Sequence, residues 1–432
     1  MMLAGVVADV AGTIIATAGI GYLLYRDRHD SIIILSVMIL LLGDSRLENL
    51  QFVKSLRVEV MVILFMISLH EIHNNCYKLN TMMLYFVPFA IVSLLALTFS
   101  PLMEVGLGKT LSFIILYFVV FHYVKNKLQR YGIQLMIDVQ FLIVIVLSVG
   151  FLLYPLFPQF VSYGGFRYNG IMGNPNGMGI LVTLSIPLTT YLFTRHRDFT
   201  PQYKAFVWVL LILSLLLCSS RNAIFSSALY AIVFLGLQGS TFRRIIFLFV
   251  FLPAAGLVLY KIDFETIFTS LGLGGYFRVK DLESGSGRIF AWAYALELIG
   301  RAPLIGCGFA CEEYYFVYKS TFRLWHTGHQ GGVHNSYLAY AINTGLVGLG
   351  LYLGFLIQAA LRVRNLHHLV PFILASFFSA AFESWLFSSL SAFHTIFLLT
   401  LVFMIVDTNR VGLLVSNLPG EFTYEPAKGG LK

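Results

Sequence analysis

The chain has 432 residues, of which 58% are hydrophobic and only 12% are charged; a soluble domain would carry about twice that charged fraction. This balance excludes a soluble globular protein. The net charge of +8 does not indicate a nucleic-acid partner, because the basic residues lie in short loops beside apolar runs. Backbone groups in lipid must be satisfied within their own segment, so the predicted fold is all-α, a polytopic bundle of transmembrane helices.

Apolar runs long enough to cross a bilayer, about 20 residues each, recur along the whole chain. They predict a single integral membrane domain, residues 1–432, with about 12 or 13 transmembrane helices. The count depends on the second and third runs, which at about 13 residues are short for a span. The predicted spans are 3–25, 31–43, 58–70, 80–99, 107–124, 135–154, 177–194, 204–219, 221–238, 245–262, 334–361, 369–387 and 389–406.

Basic loops between the spans predict how the helices are oriented, because such loops face the cytoplasm. They are 125–130, 195–204, 243–244 and 362–364. Counting helices between them places other intervals on the outer face. These are 154–176, 219–221, 263–333 and the turn near Ser388. The loop that holds Arg46, Lys54 and Arg57 does not fit this frame.

The longest polar interval, 263–333, is predicted to be one large extracytoplasmic loop, and it leads into His334-Asn335 at the start of an apolar helix. Histidine titrates near neutral pH and can take a proton from a hydroxyl, although a histidine at a helix start is commonly a cap or a surface group. Small residues in that helix predict close packing against its neighbours, which would hold the histidine rigidly. They are Gly345, Gly348, Gly350 and Gly354.

Three arginines, Arg167, Arg221 and Arg288, lie on the face that should avoid positive charge. A guanidinium suits phosphate because its planar fork donates two parallel hydrogen bonds. Arg221 also stands at a predicted helix start, where free amide groups and the helix dipole favour an anion. Each has a simpler explanation. Arg167 could anchor to lipid headgroups, Arg221 could belong only to a turn between spans, and Arg288 could end a flexible Ser-Gly linker.

Other polar residues near that face have mixed interpretations. Asn174-Pro175 predicts a helix start, with asparagine as the N-cap and proline at the first position. Glu383 lies near the outer end of its helix, where an acid is costly and usually has a partner, which could be His334 or an arginine. Asp138 and His394 are interpreted as structural.

Cys307 and Cys311, followed by His326 and His329, have a spacing that superficially resembles a zinc site. The gap between the histidines is short for a zinc finger and the outer face is an oxidising compartment, so no metal site is predicted. A local disulfide and two free thiols both remain open, since helical geometry at this separation would just permit a bridge.

Four motifs fall between Arg167 and Phe387. They are Arg167-x2-Gly170 with Asn174-Pro175-Asn176; Ser220-Arg221; Ser286-Gly287-Arg288 with Pro303-Leu304-Ile305-Gly306-x-Gly308; and His334-Asn335-x9-Gly345-x2-Gly348. Together they resemble the O-antigen ligase and O-antigen polymerase superfamily of bacterial cell-surface polysaccharide assembly. The last motif matches the superfamily's ligase signature and is the most specific of the four.

The resemblance implies a GT-C-like, metal-independent glycosyltransferase without a cofactor, placed in the bacterial inner membrane with its active site facing the periplasm. Its donor would be a glycan on undecaprenyl diphosphate. The expected catalytic residues are His334, Arg288 and Arg221. The expected substrate-binding residues are Arg167, Asn335, Glu383 and Asn176.

The expected reaction is an inverting single displacement. Arginines would stabilise the leaving diphosphate, and the histidine would take the proton of the acceptor hydroxyl.

A polymerase, which extends a lipid-linked glycan, is favoured because it represents the broader group; a ligase would transfer the glycan to lipid A core. Transport of a small solute such as bicarbonate is a third alternative, and it predicts ionisable residues and broken helices near mid-bilayer. Binding of a chain-length regulator stays open.

Overall fold

The computed structural model describes residues 18–23, 26, 29–45, 53–74, 80–163, 167–196, 198–239, 245, 288–319 and 331–416. Most of these residues are helical, and the predicted all-α fold is confirmed. The predicted span 245–262 lies outside the described residues except for Ile245, and so do most of 3–25 and the loop residues 263–287 and 320–330.

The first half of the chain forms a run of packed helices. They are α1 (His29–Gly43), α2 (Val53–His73), α3 (Met82–Leu97), α4 (Met103–Phe118), α5 (Lys125–Tyr131) and α6 (Ile133–Leu153), with a π-helical segment, Val119–Val124, joining α4 to α5. The third predicted span was too short, because α2 has 21 residues. Its charged ends extend the helix beyond the apolar run, and the buried Lys127 ammonium pairs there with Glu71 at 2.5 Å.

A short irregular region leads from α6 into the second half of the bundle. It contains α7 (Pro158–Val161) and a two-stranded antiparallel hairpin of β1 (Ser162–Tyr163) and β2 (Arg167–Tyr168), in which Ser162 pairs with Tyr168. Next come α8 (Pro175–Arg195), α9 (Pro201–Leu217) and α10 (Arg221–Gly236). Asn174 caps α8 by accepting from the Asn176 N–H at 3.1 Å, and Pro175 takes the first helical position, as predicted.

The remaining described helices surround the candidate site. They are α11 (Arg288–Arg301), α12 (Cys311–Glu313), α13 (Ser336–Ala360), α14 (Leu366–Phe382) and α15 (Ala392–Ser416), with a 3₁₀ turn, Ser384–Phe387, after α14. The predicted span 369–387 was too long, because Glu383 has extended backbone angles and ends α14. Arg288 is the first residue of α11.

Length and composition allow four helices of the described chain to cross a membrane by themselves: Met103–Arg130, Ile133–Leu153, Pro175–Arg195 and Ser336–Ala360. Six shorter apolar helices of 10–17 residues accompany them. The predicted spans 3–25 and 245–262 lie mostly outside the described residues, so these ten helices are not a count for the whole chain. Large apolar side chains such as Leu152 and Leu361 are about 70% exposed, as expected for a surface in lipid.

Helix α13 is broken at Gly345, which has φ 70° and ψ 178°. Segment 303–308 replaces the hydrogen bonds that the break removes. The N–H groups of Leu346 and Val347 donate to the carbonyls of Pro303 and Leu304 at 2.8 and 3.2 Å. On the other side of the break, the N–H groups of Cys307 and Gly308 donate to the carbonyls of Ile342 and Asn343 at 3.0 and 2.8 Å.

The glycines of α13 therefore differ in how closely other parts of the chain approach them. A Cβ at Gly345 would lie 2.1 Å from the Leu304 carbonyl oxygen, so this glycine permits the close approach of segment 303–308. Close packing was wrongly predicted for Gly350 and Gly354, since a Cβ at either position would meet no atom within 4 Å.

Arg57, one of the early basic residues that do not fit the predicted charge frame, has polar partners in the structure. Its guanidinium donates to Asp44 Oδ1 at 2.7 Å and to the Leu390 carbonyl at 3.3 Å. Asp44 Oδ2 in turn accepts from the Ala392 N–H at 2.7 Å, which caps α15. Arg57 thus lies beside the turn at 388–391, at the end predicted to face outward. Its bonds to Asp44 and to the Leu390 carbonyl tie α2 to this turn, which is a structural role.

Candidate active site

Glu383 is the residue on which the candidate site converges. It follows α14 with extended backbone angles (φ −145°, ψ 147°) and is 8% exposed. Its Oε1 accepts from the Arg288 guanidinium at 2.7 Å and from Asn176 Nδ2 at 3.0 Å. Its Oε2 lies 3.3 Å from Nδ1 of His334. Residues from α8, α11 and the start of α13 therefore meet at one carboxylate.

Arg167 extends this network toward the turn between α9 and α10. Its guanidinium donates to Asn176 Oδ1 at 3.1 Å and to the carbonyls of Cys218 and Ser219 at 3.3 and 3.4 Å. Arg167 is only 7% exposed, so its interpretation as a lipid-headgroup anchor is wrong. Asn176 bridges Arg167 to Glu383.

Arg221 opens α10 directly after Ser219, which has a left-handed φ of 48°, and Ser220. The neighbouring Asn222 Nδ2 donates to the backbone carbonyl and the hydroxyl of Ser379 at 3.2 and 3.3 Å. Because Ser379 lies one helical turn before Glu383, Arg221 begins its helix at the same end of α14 as the carboxylate.

His334 has a left-handed backbone with φ 49°, which is uncommon for a residue with a side chain. The residues that follow it are tied to Glu383 and its neighbour. The Asn335 N–H donates to Ser384 Oγ at 3.1 Å, and the Ser336 hydroxyl donates to the Glu383 carbonyl at 2.7 Å. The backbone at the start of α13 is thus fixed to the residues that carry the carboxylate.

Glu383 is ionised in this arrangement. Burial raises the pKa of its carboxyl group, but the hydrogen bond from His334 and the charge of Arg288 outweigh burial and lower the pKa below its ordinary value of 4.5. An ionised carboxylate only accepts hydrogen bonds. His334 Nδ1 therefore carries the proton that faces Glu383, which leaves Nε2 as the nitrogen that can accept a proton.

This lowered pKa predicts an acid-dependent loss of stability. Glu383 contributes stability above pH 4.5, the ordinary value of its pKa, and this contribution is lost as the pH falls through the lower folded value. The thermal midpoint of the detergent-purified protein should fall more steeply below pH 4.5 for the wild type than for Glu383→Gln. Equal slopes for the two proteins would contradict an ionised Glu383.

Residues 206–353 match the O-antigen ligase family model. The match confirms the resemblance to the O-antigen ligase and polymerase superfamily over this region, and it supports a ligase- or polymerase-type function in polysaccharide assembly in broad terms. Together with the apolar helices it indicates an integral membrane protein. No curated protein matches the chain.

The O-antigen ligase match spans Arg221, Arg288, His334 and Asn335 and ends before Glu383. The structure brings His334, Arg288, Glu383, Asn176 and Arg167 into one hydrogen-bonded network. Asn335 Oδ1 accepts from the N–H groups of Tyr337 and Leu338 at 2.9 and 3.0 Å, so this side chain caps α13. A substrate contact of Asn335 stays a prediction. Because Oδ1 caps the helix, we expect such a contact to be made by Nδ2.

The secondary candidates have structural partners. Asp138 accepts from Gln134 one helical turn away at 2.9 Å. His394 lies within hydrogen-bond distance of Tyr117, Tyr352 and the Ser388 carbonyl, at 2.9, 3.3 and 3.1 Å. Cys307 and Cys311 form a disulfide with their Cα atoms 5.8 Å apart, which decides between the two alternatives for these thiols. His326 and His329 lie outside the described residues.

Two contacts beside His334 were not anticipated from the sequence. Glu312 Oε1 accepts from the Val333 N–H at 2.8 Å, and Trp292 Nε1 donates to the Val333 carbonyl at 3.0 Å. Both partners are far from Val333 along the chain. The spacing of residues in a sequence does not predict hydrogen bonds between side chains and backbone groups at such separations. An acidic residue next to a cysteine in a polar loop was the only signal for Glu312.

Proposed function

We propose that the protein transfers a glycan from a lipid diphosphate to a sugar hydroxyl. The observation that supports this most is the convergence of Arg288, Asn176 and His334 on Glu383. The network places a positive guanidinium and a proton acceptor at the same carboxylate. Transfer from a diphosphate needs both functions, one for the leaving group and one for the attacking hydroxyl.

The arginines are proposed to hold the diphosphate. A guanidinium has five N–H donors, so the bond from Arg288 to Glu383 leaves donors of the same group for phosphate oxygens. Arg221 adds its own charge at the N-terminus of α10, where the helix dipole favours an anion. Arg167 and Asn176 hold the surrounding backbone and side chains in place. As the diphosphate leaves, preorganised donors of this kind stabilise its growing charge.

His334 is proposed to act as the general base through Nε2. The acceptor oxygen bonds to the anomeric carbon as the bond from that carbon to the diphosphate oxygen breaks, and the hydroxyl proton passes to Nε2. Glu383 keeps the Nδ1 proton in place and stabilises the charged imidazole, as a buried carboxylate does beside a histidine base. A single displacement of this kind inverts the anomeric configuration.

The proposed setting is the periplasmic face of the bacterial inner membrane, with undecaprenyl diphosphate as the lipid carrier. The Cys307–Cys311 disulfide supports this side, because disulfides persist in oxidising compartments. The intervals predicted to lie outside also meet at one end of the bundle, through the contacts of Arg167, Glu383 and His334. At the opposite end, Arg195 pairs with Asp407 at 2.8 Å.

We propose a polymerase as the first candidate, because polymerases are the broader group, and a ligase as the second, because the matching family is described by that activity. Solute transport is not favoured by the family match. The break at Gly345 is a feature that a transporter would share. Here, however, four backbone groups of the broken turn bond segment 303–308, instead of lining a water-filled cavity.

The test is a transfer assay with the purified protein. The probe is radiolabelled lipid-diphosphate oligosaccharide extracted from the host strain after deletion of this gene, offered alone or with lipid A core. A ladder of longer lipid-linked glycans without added acceptor supports the polymerase. Label on lipid A core supports the ligase. If neither product forms with the wild-type protein while a known enzyme of this type is active in the same assay, the proposed function is wrong.

A further inference from the structure

The left-handed backbone of His334 needs support from both sides. This backbone conformation costs about 1–3 kcal/mol for a residue other than glycine, and it persists only where the surrounding structure holds it in place. Ser384 and the Glu383 carbonyl hold the chain after His334, through Asn335 and Ser336. The chain before it must be held separately, because the imidazole direction depends on the backbone on both sides.

Val333 is fixed by contacts at both of its backbone groups. Glu312 Oε1 accepts its N–H at 2.8 Å, Trp292 Nε1 donates to its carbonyl at 3.0 Å, and its side chain is fully buried. A Cβ at Gly332 would lie 2.5 Å from Glu312 Oε1. The glycine before Val333 thus lets the carboxylate approach the backbone.

Glu312 is itself anchored. The N–H groups of Cys311 and Glu312 donate to Asn343 Oδ1 at 3.1 and 3.4 Å. The preceding residue is cross-linked to Cys307, and Cys307 bonds the broken turn of α13. The carboxylate that touches Val333 is therefore attached to the same helix that begins two residues after His334, so the support forms a closed loop.

We propose that Glu312 is a positioning residue for the transfer reaction, and that it holds the His334 imidazole in its working direction through the Val333 N–H. This inference rests on the proposed function. It gives the two acids different tasks: Glu383 hydrogen-bonds the imidazole, whereas Glu312 hydrogen-bonds the backbone before it and acts on the imidazole through charge alone.

The important property of Glu312 is its acceptor oxygen. Burial raises the pKa of its carboxyl group, while the Val333 N–H and the charges of Lys109 and His334 act in the opposite direction. In either protonation state one oxygen can accept from Val333. Glutamine keeps such an oxygen and lacks the charge, whereas alanine has neither, so the two substitutions separate the hydrogen bond from the charge.

The experiment measures kcat and KM for the lipid-diphosphate donor extracted from the deletion strain. Glu312→Ala should lower kcat by about tenfold or more, because small displacements of a catalytic group are costly, with KM within about twofold of wild type. Glu312→Gln should restore kcat to within about threefold. Glu313→Ala is the matched control, since the adjacent Glu313 pairs with Lys109 at the protein surface and should leave kcat unchanged.

Trp292→Phe keeps an aromatic side chain, although a smaller one, and removes the N–H that holds the Val333 carbonyl. It should also lower kcat, and it serves if Glu312→Ala does not fold. Unchanged kcat in both variants overturns the inference, as does a Gln variant as slow as the Ala variant, or a change in KM alone. These failures leave the proposed function standing if His334→Ala is inactive. An active His334→Ala overturns the proposed function instead.

Discussion

Replacing His334 with alanine should reduce glycan transfer by about 10²–10⁴-fold, the usual contribution of a positioned general base. Donor binding should persist, because Arg288 and Arg221 remain in the variant. The expected kinetic signature is a loss of kcat with little change in KM for the lipid-diphosphate donor. In cells carrying the variant, the surface polysaccharide should show the same defect as in the deletion strain.

His196→Ala is the matched control for this change. His196 follows α8 at the opposite end of the bundle and lies 3.3 Å from Asp198, so it should have no effect on transfer. The pattern of surface polysaccharide chain lengths in cells provides a second readout. Wild-type chain lengths in the His334→Ala strain, with the variant present in the membrane at normal levels, would contradict the role of the imidazole.

Much of the fold could be predicted because a membrane helix is specified locally. Apolar runs indicate where helices lie, and Asn174-Pro175 indicated the start of α8 because capping involves neighbouring residues. The helix ends that carry charged residues were harder to predict. Lys127 and Glu71 lie within helices because they pair across the bundle, and a single segment does not contain that information.

The sequence identified several residues of the candidate site, but it did not predict the hydrogen bonds that join them. His334 and Arg288 were identified by motif, and a partner for Glu383 was expected because a buried acid needs one. That this acid would bond His334, Arg288 and Asn176 together depends on its extended backbone at the end of α14. Glu312 and Trp292 were missed because their contacts are to backbone groups, which every residue carries.

The break in α13 was also beyond the sequence argument, because the four glycines of that helix were given one common role. What distinguishes them is the neighbour that each one faces. Gly345 faces the Leu304 carbonyl and has a positive φ, whereas Gly350 and Gly354 face open space. The Pro303–Gly308 motif and the glycine at 345 are thus two halves of one feature, a loop backbone inserted into a broken helix.

Replacing Gly345 with alanine should therefore destabilise the protein severely. The backbone at φ 70° and ψ 178° is essentially restricted to glycine, which costs about 1–3 kcal/mol for another residue. The new Cβ would also overlap the Leu304 carbonyl, which is backbone and has little freedom to move, at a further cost of about 1–3 kcal/mol. We expect low abundance in the membrane, a lower thermal midpoint in detergent and loss of transfer.

Gly350→Ala and Gly354→Ala provide controls on the same helix. Both positions are helical and have room for a methyl group, so alanine should be neutral or stabilising by up to about 1 kcal/mol. The contrast tests the insertion of segment 303–308, because general intolerance of α13 to larger residues would lower all three thermal midpoints together. A Gly345→Ala protein as stable as these controls would mean that α13 is continuous in the membrane. The anchoring of Glu312 through Asn343 would then have to be explained in another way.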